Sequence, residues 1–340
     1  MGVKRAVLDI ARRTGVLRAV GATFGSDRLT VLAYHRITDH TDPAFSTYAG
    51  NVSAGLEEFA RQMDWVSARF QPVGIDDVAA AVEGRASLPK RPLLVTFDDG
   101  YADNHESALP ILRERGIPAA LFLTTDVVGT RTGFWWDRAA WCFRNTQQIE
   151  ADLPGIGPAS WESGDTGAVA RRWIEAMKVV PEDRKLAALG DLPAALGVSV
   201  PDDAFDGLVL TWDEVRAMTV GGVAMEAHTL THPILTRVGP DEARRQIEGS
   251  RDRVEAETGR RPVGLAYPNG QPGDVDEAVR SIVAEAGFSV AFTLAPGPAR
   301  HREVVADPLM IRRIYVHRGD GLHRFAAKVH GLARGTARLR

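Results

Sequence analysis

The chain is short of cysteine, of net charge and of long apolar runs, and each scarcity closes off a class of protein. A single cysteine, Cys142, allows no intramolecular disulfide and removes thiolates as a ligand set; it is expected to be a buried small hydrophobe. Lys and Arg total 41 against 44 Asp and Glu, and a formal net charge of −3 gives no bulk electrostatic case for nucleic acid. No uncharged apolar stretch approaches the ~20 residues a bilayer needs, so no transmembrane helix is expected. Lys4, Arg5, Arg12, Arg13 and Arg18 break up residues 1–20 too often for a signal-peptide core. A cytoplasmic location, or a peripheral one at the inner face of a membrane, is therefore expected.

What is present suits a globular α/β protein. With 340 residues, 44% hydrophobic and 25% charged, the chain can hold one large domain or two modest ones. Residues 1–28 read as a basic amphipathic helix, with Val3, Val7, Ile10, Leu17 and Val20 at helical spacing. Residues 318–340 form a second basic segment, a C-terminal tail. Two basic ends suggest a peripheral contact with anionic lipid.

Buried strands are expected at 29–34, 70–73, 93–97 and 117–125, with helices at 53–69, 75–84 and 103–115 between them. Ser53 is the expected cap of the 53–69 helix, whose inward stripe would be Leu56, Phe59, Met63 and Val66. The β-α order argues for parallel pairing with helical crossovers. The rhythm stops over 126–206, which holds five of the seven tryptophans: Trp135, Trp136, Trp141, Trp161 and Trp173. Helices are expected there at 134–150 and 167–190. This segment reads as an insertion or lid, its indoles packing a small helical cap or stacking on sugar rings. Strands return at 222–227, 263–267, 288–293 and 311–316, with helices at 212–218, 240–258 and 274–286.

The chemistry gathers where strands end. Leu93-Leu-Val-Thr-Phe97 runs straight into Asp98-Asp99-Gly100. Asp-Gly is ordinary turn chemistry, yet two adjacent carboxylates repel, and a divalent cation beside them would relieve that. His228 and His232 lie four residues apart and can face one way on a helix or around a turn, as neutral imidazole ligands. Asp98-Asp99, His228, Tyr267 and His317 all follow a predicted strand, and in a parallel barrel those ends share the face on which sites are built.

Thr96-Phe-Asp-Asp-Gly100, His228-Thr-Leu-Thr-His232 and Tyr267-Pro-Asn-Gly270, in this order, resemble the polysaccharide deacetylases, carbohydrate esterase family 4. Tyr34-His35-Arg36 and Arg313-Ile314 fit the same family's flanking patterns. The resemblance covers residues 29–125 and 207–317, with 126–206 as the departure. It implies an α/β fold, a distorted (β/α) barrel of about seven strands, here with an inserted, mainly helical segment. It implies metal-assisted hydrolysis of an N-acetyl group on an amino-sugar saccharide or glycolipid. Asp99, His228 and His232 would hold the metal: Zn²⁺, or Co²⁺, Ni²⁺ or Fe²⁺ on the same ligands. Asp98 would be the base. A backbone N–H near Tyr267, within the segment containing Pro268 and Gly270, would face the oxyanion. His317 is the expected general acid, with His35 as its competitor on the substrate side. The family's arginine opens an Arg-x-Pro-Tyr motif. Here Arg261-Pro262 lies well before Tyr267, so Arg313 is the expected partner of the base. His105 and His301 are read as surface residues. Two other readings are deacylation or deformylation of a lipid-linked sugar and a non-catalytic carbohydrate-binding barrel. The intact acid and histidine set argues against the second, because binding sugar needs none of it.

Overall fold

Residues Pro92–Asp99 are buried along their whole length, as expected for a strand with no polar face. In the computed structural model, which describes residues 27–162 and 165–331, this strand belongs to a closed parallel barrel. The barrel strands are β1 (Arg28–Tyr34), β2 (Pro92–Asp99), β3 (Ala119–Leu123), β4 (Val223–Ala227), β5 (Gly264–Ala266), β6 (Val290–Pro296) and β7 (Ile311–Tyr315). Each pairs in parallel with the next, and β7 pairs back onto β1 to close a seven-stranded ring. The expected barrel is present.

Side chains alternate across each strand. Val31, Leu94, Phe122, Val290 and Phe292 form one apolar cluster with Ile75 and Val78 of helix α2 (Ile75–Val82). Leu93, Val95, Phe97, Leu121 and Leu123 join the other cluster, with Phe59 and Met63 of helix α1 (Leu56–Ser67). Burying each such side chain contributes about 1.5–3 kcal/mol, so two nested apolar layers fix the ring and the level of its strand ends.

The first helix differs from expectation. It begins at Leu56 behind Gly55, while Ser53 lies in a short strand, Val52–Ala54. The Ser53 hydroxyl instead accepts from the His35 N–H at 2.9 Å. Leu56 is exposed, and the inward stripe is Phe59, Met63 and Val66 together with Gln62. The strand expected at 70–73 is only Gln71–Pro72. Past β2, a π-helical turn at Asn104–Ala108 leads into α3 (Leu109–Glu114).

The departure from the β-α rhythm builds its own core. Helices α4 (Trp135–Asn145), α5 (Thr166–Met177) and α6 (Glu182–Ala195) pack with an antiparallel hairpin, Glu150–Leu153 and Gly157–Ser160, that sequence periodicity did not suggest. The first helix therefore ends at Asn145 rather than 150. Trp136, Trp161 and Trp173 are buried in this core together with Phe143 and Cys142, and Tyr48 and Tyr101 from barrel loops belong to the same cluster.

The remaining helices are α7 (Trp212–Val220), α8 (Pro240–Thr258), α9 (Glu277–Glu285), α10 (His301–Ala306) and α11 (Leu322–Val329). Thr211 and Glu214 cap α7 reciprocally, and Gly259, at φ 72°, ends α8. The segment expected to be a basic tail contains α11, whose Phe325 is buried 5.6 Å from the Trp65 ring. Lys328 turns inward to the Asp320 carboxylate and the Tyr315 carbonyl. The amphipathic helix expected at 1–28 lies almost wholly outside the described residues. No helix among the described residues is long and apolar enough to cross a membrane.

Candidate active site

The ends of β2, β4 and β5 are level: Asp99 pairs with Leu123, Leu123 with Ala227, and Ala227 with Leu265. Asp98-Asp99, His228 and Tyr267 therefore emerge at one rim of the ring. Strand alternation sends the Asp98 side chain toward Arg313 and Phe122 within the barrel mouth, with Arg313 5.5 Å from the Phe122 ring. Asp99 leaves the pleat instead, at φ 79°. Four of the five non-glycine residues with positive φ among the described residues, Asp99, Thr229, His232 and Asn269, lie around this mouth. Such backbone carries a cost of order 1 kcal/mol or more per residue and persists only where the surroundings enforce it.

The histidines sit on a turn rather than a helix. His232 N–H donates to the Thr229 hydroxyl at 3.0 Å, and the Leu230 and Thr231 N–H groups donate to Gln246 Oε1 at 3.0 and 2.9 Å. His228 Nδ1 lies 2.7 Å from the Ala266 carbonyl. A carbonyl can only accept, so Nδ1 carries the proton and the Nε2 lone pair faces inward. His228 Nε2 and His232 Nε2 lie 3.6 and 3.5 Å from Asp99 Oδ1. The ring of Trp136 stands 4.8 Å from that of His232.

Asp99, His228 and His232 bring their ligand atoms within 4.8 Å of one another. Asp99 Oδ1 is buried without a hydrogen-bond partner. Burial, then the charge of Asp98, pushes the Asp99 carboxyl well above the usual range. An orphaned acceptor facing the Nε2 atoms of two histidines is a donor set that fits a cation: one carboxylate and two imidazoles suit a borderline divalent ion.

Asp98 is tuned oppositely. Burial would raise it, but the Arg313 guanidinium and its hydrogen bonds outweigh that and hold it below the usual range. Arg313 grips both carboxylate oxygens, at 2.6 and 2.8 Å, and is itself fully buried. Two adjacent carboxylates are thus set apart, one paired with a fixed cation and one left open.

A cavity of about 700 Å³ lies over these groups. Its wall includes His35, His317, Tyr267 and, from the inserted segment, Trp135, Trp136 and Lys185. His35 Nε2 is 4.0 Å from Asp99 Oδ2, and burial lowers His35 to about 4. His317 is half-buried; burial and then the Arg318 charge lower it, and its Nδ1 accepts from the Gly319 N–H at 3.1 Å.

The Tyr267 segment departs from expectation. The Tyr267 N–H donates to the Phe292 carbonyl at 3.0 Å, the Gly270 N–H donates to the Pro268 carbonyl at 2.7 Å, and Pro268 has no N–H. None of these three offers a main-chain donor to the cavity. Gly270 is needed for the turn: at φ 56°, a Cβ there would meet Leu294 N and Tyr267 O at 3.0 Å. Arg261 lies on the exposed surface beside Glu255, leaving Arg313 as the arginine beside Asp98. Several contributors were not singled out in the sequence: Gln246, which holds the histidine turn, and Asn51, Tyr101 and Asp137, linked to Asp99 from behind. Only Tyr101 carried a signal, following Asp98-Asp99-Gly100 directly.

The family model described as polysaccharide deacetylase matches residues 85–291. A curated relative, the poly-beta-1,6-N-acetyl-D-glucosamine N-deacetylase of Staphylococcus epidermidis, is 28% identical over 106 residues, covering 29% of this chain and 37% of that protein. The chain thus matches only about a third of the length of its curated relatives. Among solved structures, the deacetylase PplD of Streptococcus pyogenes, in complex with acetate, superposes with a TM-score of 0.60 at 15% identity, covering 89% of this chain and 99% of that one. IcaB of Ammonifex degensii gives 0.57 at 19% identity, covering 90% and 98%. At such identities these likenesses speak for the fold. With the family model spanning more than half its length, the chain belongs to the polysaccharide deacetylase family.

Proposed function

We propose that this protein is a divalent-metal-dependent N-deacetylase acting on an N-acetylated amino-sugar saccharide or glycolipid. The observation that carries the reading is the pairing of an open Asp99–His228–His232 set with an Arg313-held Asp98 under one cavity. The deacetylation of poly-N-acetylglucosamine named for the Staphylococcus epidermidis relative agrees with it.

Asp99 Oδ1, His228 Nε2 and His232 Nε2 would hold the ion. When bound, the ion polarises the amide carbonyl and makes water a better nucleophile near neutral pH. Asp98, ionised because Arg313 keeps it so, takes a proton from the attacking water. His317 is the residue we assign to return a proton to the leaving sugar nitrogen, so that water and amide give acetate and a free amine. Arg313 makes no contact with substrate in this scheme; it fixes the plane and charge of Asp98. Trp135, half-buried in the cavity wall, offers a face on which a sugar ring can lie.

Metal analysis of the purified protein, followed by acetate and formate release across N-acyl amino sugars, tests this. Asp98→Asn should keep the metal and release no acetate. If neither acid appears with Zn²⁺, Co²⁺, Ni²⁺ or Fe²⁺, the hydrolase reading is wrong.

A further inference from the structure

Asp99 uses one carboxylate oxygen toward the histidines; the other faces a chain of groups that begins outside the barrel. Asn51 Nδ2 stands 3.5 Å from Asp99 Oδ2 and 3.5 Å from the Tyr101 hydroxyl oxygen. That hydroxyl donates to Asp137 Oδ2 at 2.8 Å and accepts from Trp136 Nε1 at 2.7 Å. The other oxygen of Asp137, Oδ1, accepts from the Tyr48 N–H at 2.8 Å. Asp137 and Trp136 both lie on α4 of the inserted segment. Asp137 therefore clamps two barrel loops at once: the 48–51 loop that carries Asn51, and the turn after Asp99 that carries Tyr101. Those loops converge on the outer oxygen of the same carboxylate.

The arrangement does more than anchor the insertion. Asp137 and Tyr101 are fully buried, so a partner left unmatched there has no water to turn to. The Tyr101 ring is also fixed from both sides, with Phe134 at 5.0 Å and the Arg36 guanidinium at 4.8 Å, and Arg36 is in turn held to Asp103 at 2.7 Å. A hydroxyl so tightly placed sets where Asn51 can sit, and Asn51 sets the rotation of the Asp99 carboxylate. Ligand carboxylates are commonly oriented by such outer partners.

We propose that Asp137, Tyr101 and Asn51 form a positioning relay through which the inserted segment fixes the Asp99 carboxylate and so sets the protein's affinity for its divalent ion. The proposal rests on the ligand assignment of Asp99, His228 and His232. None of the three relay residues touches the reacting atoms; their effect passes through Asp99.

The test is Zn²⁺ titration of the metal-free full chain against a chromophoric chelator, with thermal melts recorded in EDTA. Asn51→Ala and Tyr101→Phe are the main variants. The first trims a half-buried side chain, and the second keeps the ring and its packing while deleting the hydroxyl. Both should weaken Zn²⁺ about 10- to 100-fold; metal-free melting should stay close to wild type for Asn51→Ala and fall for Tyr101→Phe, which leaves Asp137 and Trp136 unmatched. Asp137→Asn, which keeps the shape and changes the acceptor, should weaken it in the same sense. If the insertion merely rests on the barrel, melting temperatures will fall while Zn²⁺ affinity stays within about twofold of wild type, and the relay is refuted. Wild-type protein that binds none of Zn²⁺, Co²⁺, Ni²⁺ and Fe²⁺ in the same titration refutes the ligand assignment and the relay with it, a result plainly different from equal binding by all variants.

Discussion

Arg313 and Asp98 meet inside the barrel mouth as a two-pronged pair, with guanidinium-to-carboxylate distances of 2.6 and 2.8 Å. The two residues lie 215 positions apart, on strands that do not pair with each other, so the contact depends on the ring being closed. Asp98 stays ionised because of that grip, and the acid side of the activity profile should reflect it. Arg313→Lys keeps the charge but loses the fork. It should move the acid limb of kcat/KM to higher pH by about one unit and lower kcat about 10-fold or more. A pH–rate profile that superimposes on wild type would exclude Arg313 from this role.

Loading the ligand set should stabilise the fold. An ion bound only by the folded state adds about 2.7 kcal/mol at 100 times its Kd, so Zn²⁺ should raise Tm by several degrees and EDTA should reverse it. In His228→Ala and His232→Ala the metal-dependent rise should vanish and acetate release should cease. Differential scanning calorimetry with and without metal measures the first; a rise retained in either variant would mean the ion binds elsewhere.

Gln246 is buried, and its side-chain oxygen receives two backbone N–H groups of the histidine turn. Gln246→Leu fills the same space but leaves both donors unmatched, a cost of about 1–3 kcal/mol each. The expected result is a lower Tm together with weaker Zn²⁺ binding, since the turn that aims His232 loses its support. Lower stability with unchanged metal affinity would mean the turn keeps its shape unaided.

Far from the cavity, Glu226 is completely buried on β4, between the Arg260 guanidinium at 2.8 Å and the Gly264 N–H at 2.6 Å. Burial raises it from 4.5 to about 7 despite Arg260. The unfolded chain gives up this proton near 4.5, while the native state keeps it until about 7. Its contribution to stability is thus complete below the lower value and is lost as pH rises through the upper one. Between about pH 5 and pH 8, wild type should lose stability relative to Glu226→Gln, by up to ~3 kcal/mol. Urea unfolding of both proteins at the two pH values measures this; parallel pH dependence would contradict it.

Much of the barrel could be read from the chain because most of its strands are mainly apolar, and β2, β4 and β5 run into Asp98-Asp99, His228 and Tyr267. Asp98, Asp99, His228 and His232 were legible for that reason, and they meet where the strand ends are level. Arg313 was expected beside Asp98 only through the family resemblance; the contact itself is set by ring closure, which leaves no local trace. The Val52–Ala54 strand was missed because three buried residues are too few to show a pattern, and the 150–160 hairpin because it is short and half exposed, without the run or alternation that marks a strand. Ser53 seemed a helix cap because a hydroxyl before an apolar stripe usually is one, yet its acceptor serves His35 from another loop. A backbone N–H near Tyr267 was expected to face the cavity, but Tyr267 and Gly270 do not supply it. Sheet and turn hydrogen bonds use those donors, and nothing in the sequence reveals such competition. Asp137, Tyr101 and Asn51 are brought together by tertiary packing alone.

Thr229 sits at φ 67°, an arrangement a β-branched residue rarely tolerates, and its hydroxyl receives the His232 N–H. Thr229→Gly would relax the main chain and at the same moment release the second imidazole from its heading. Whatever is gained in the main chain there should therefore be paid in the aim of His232.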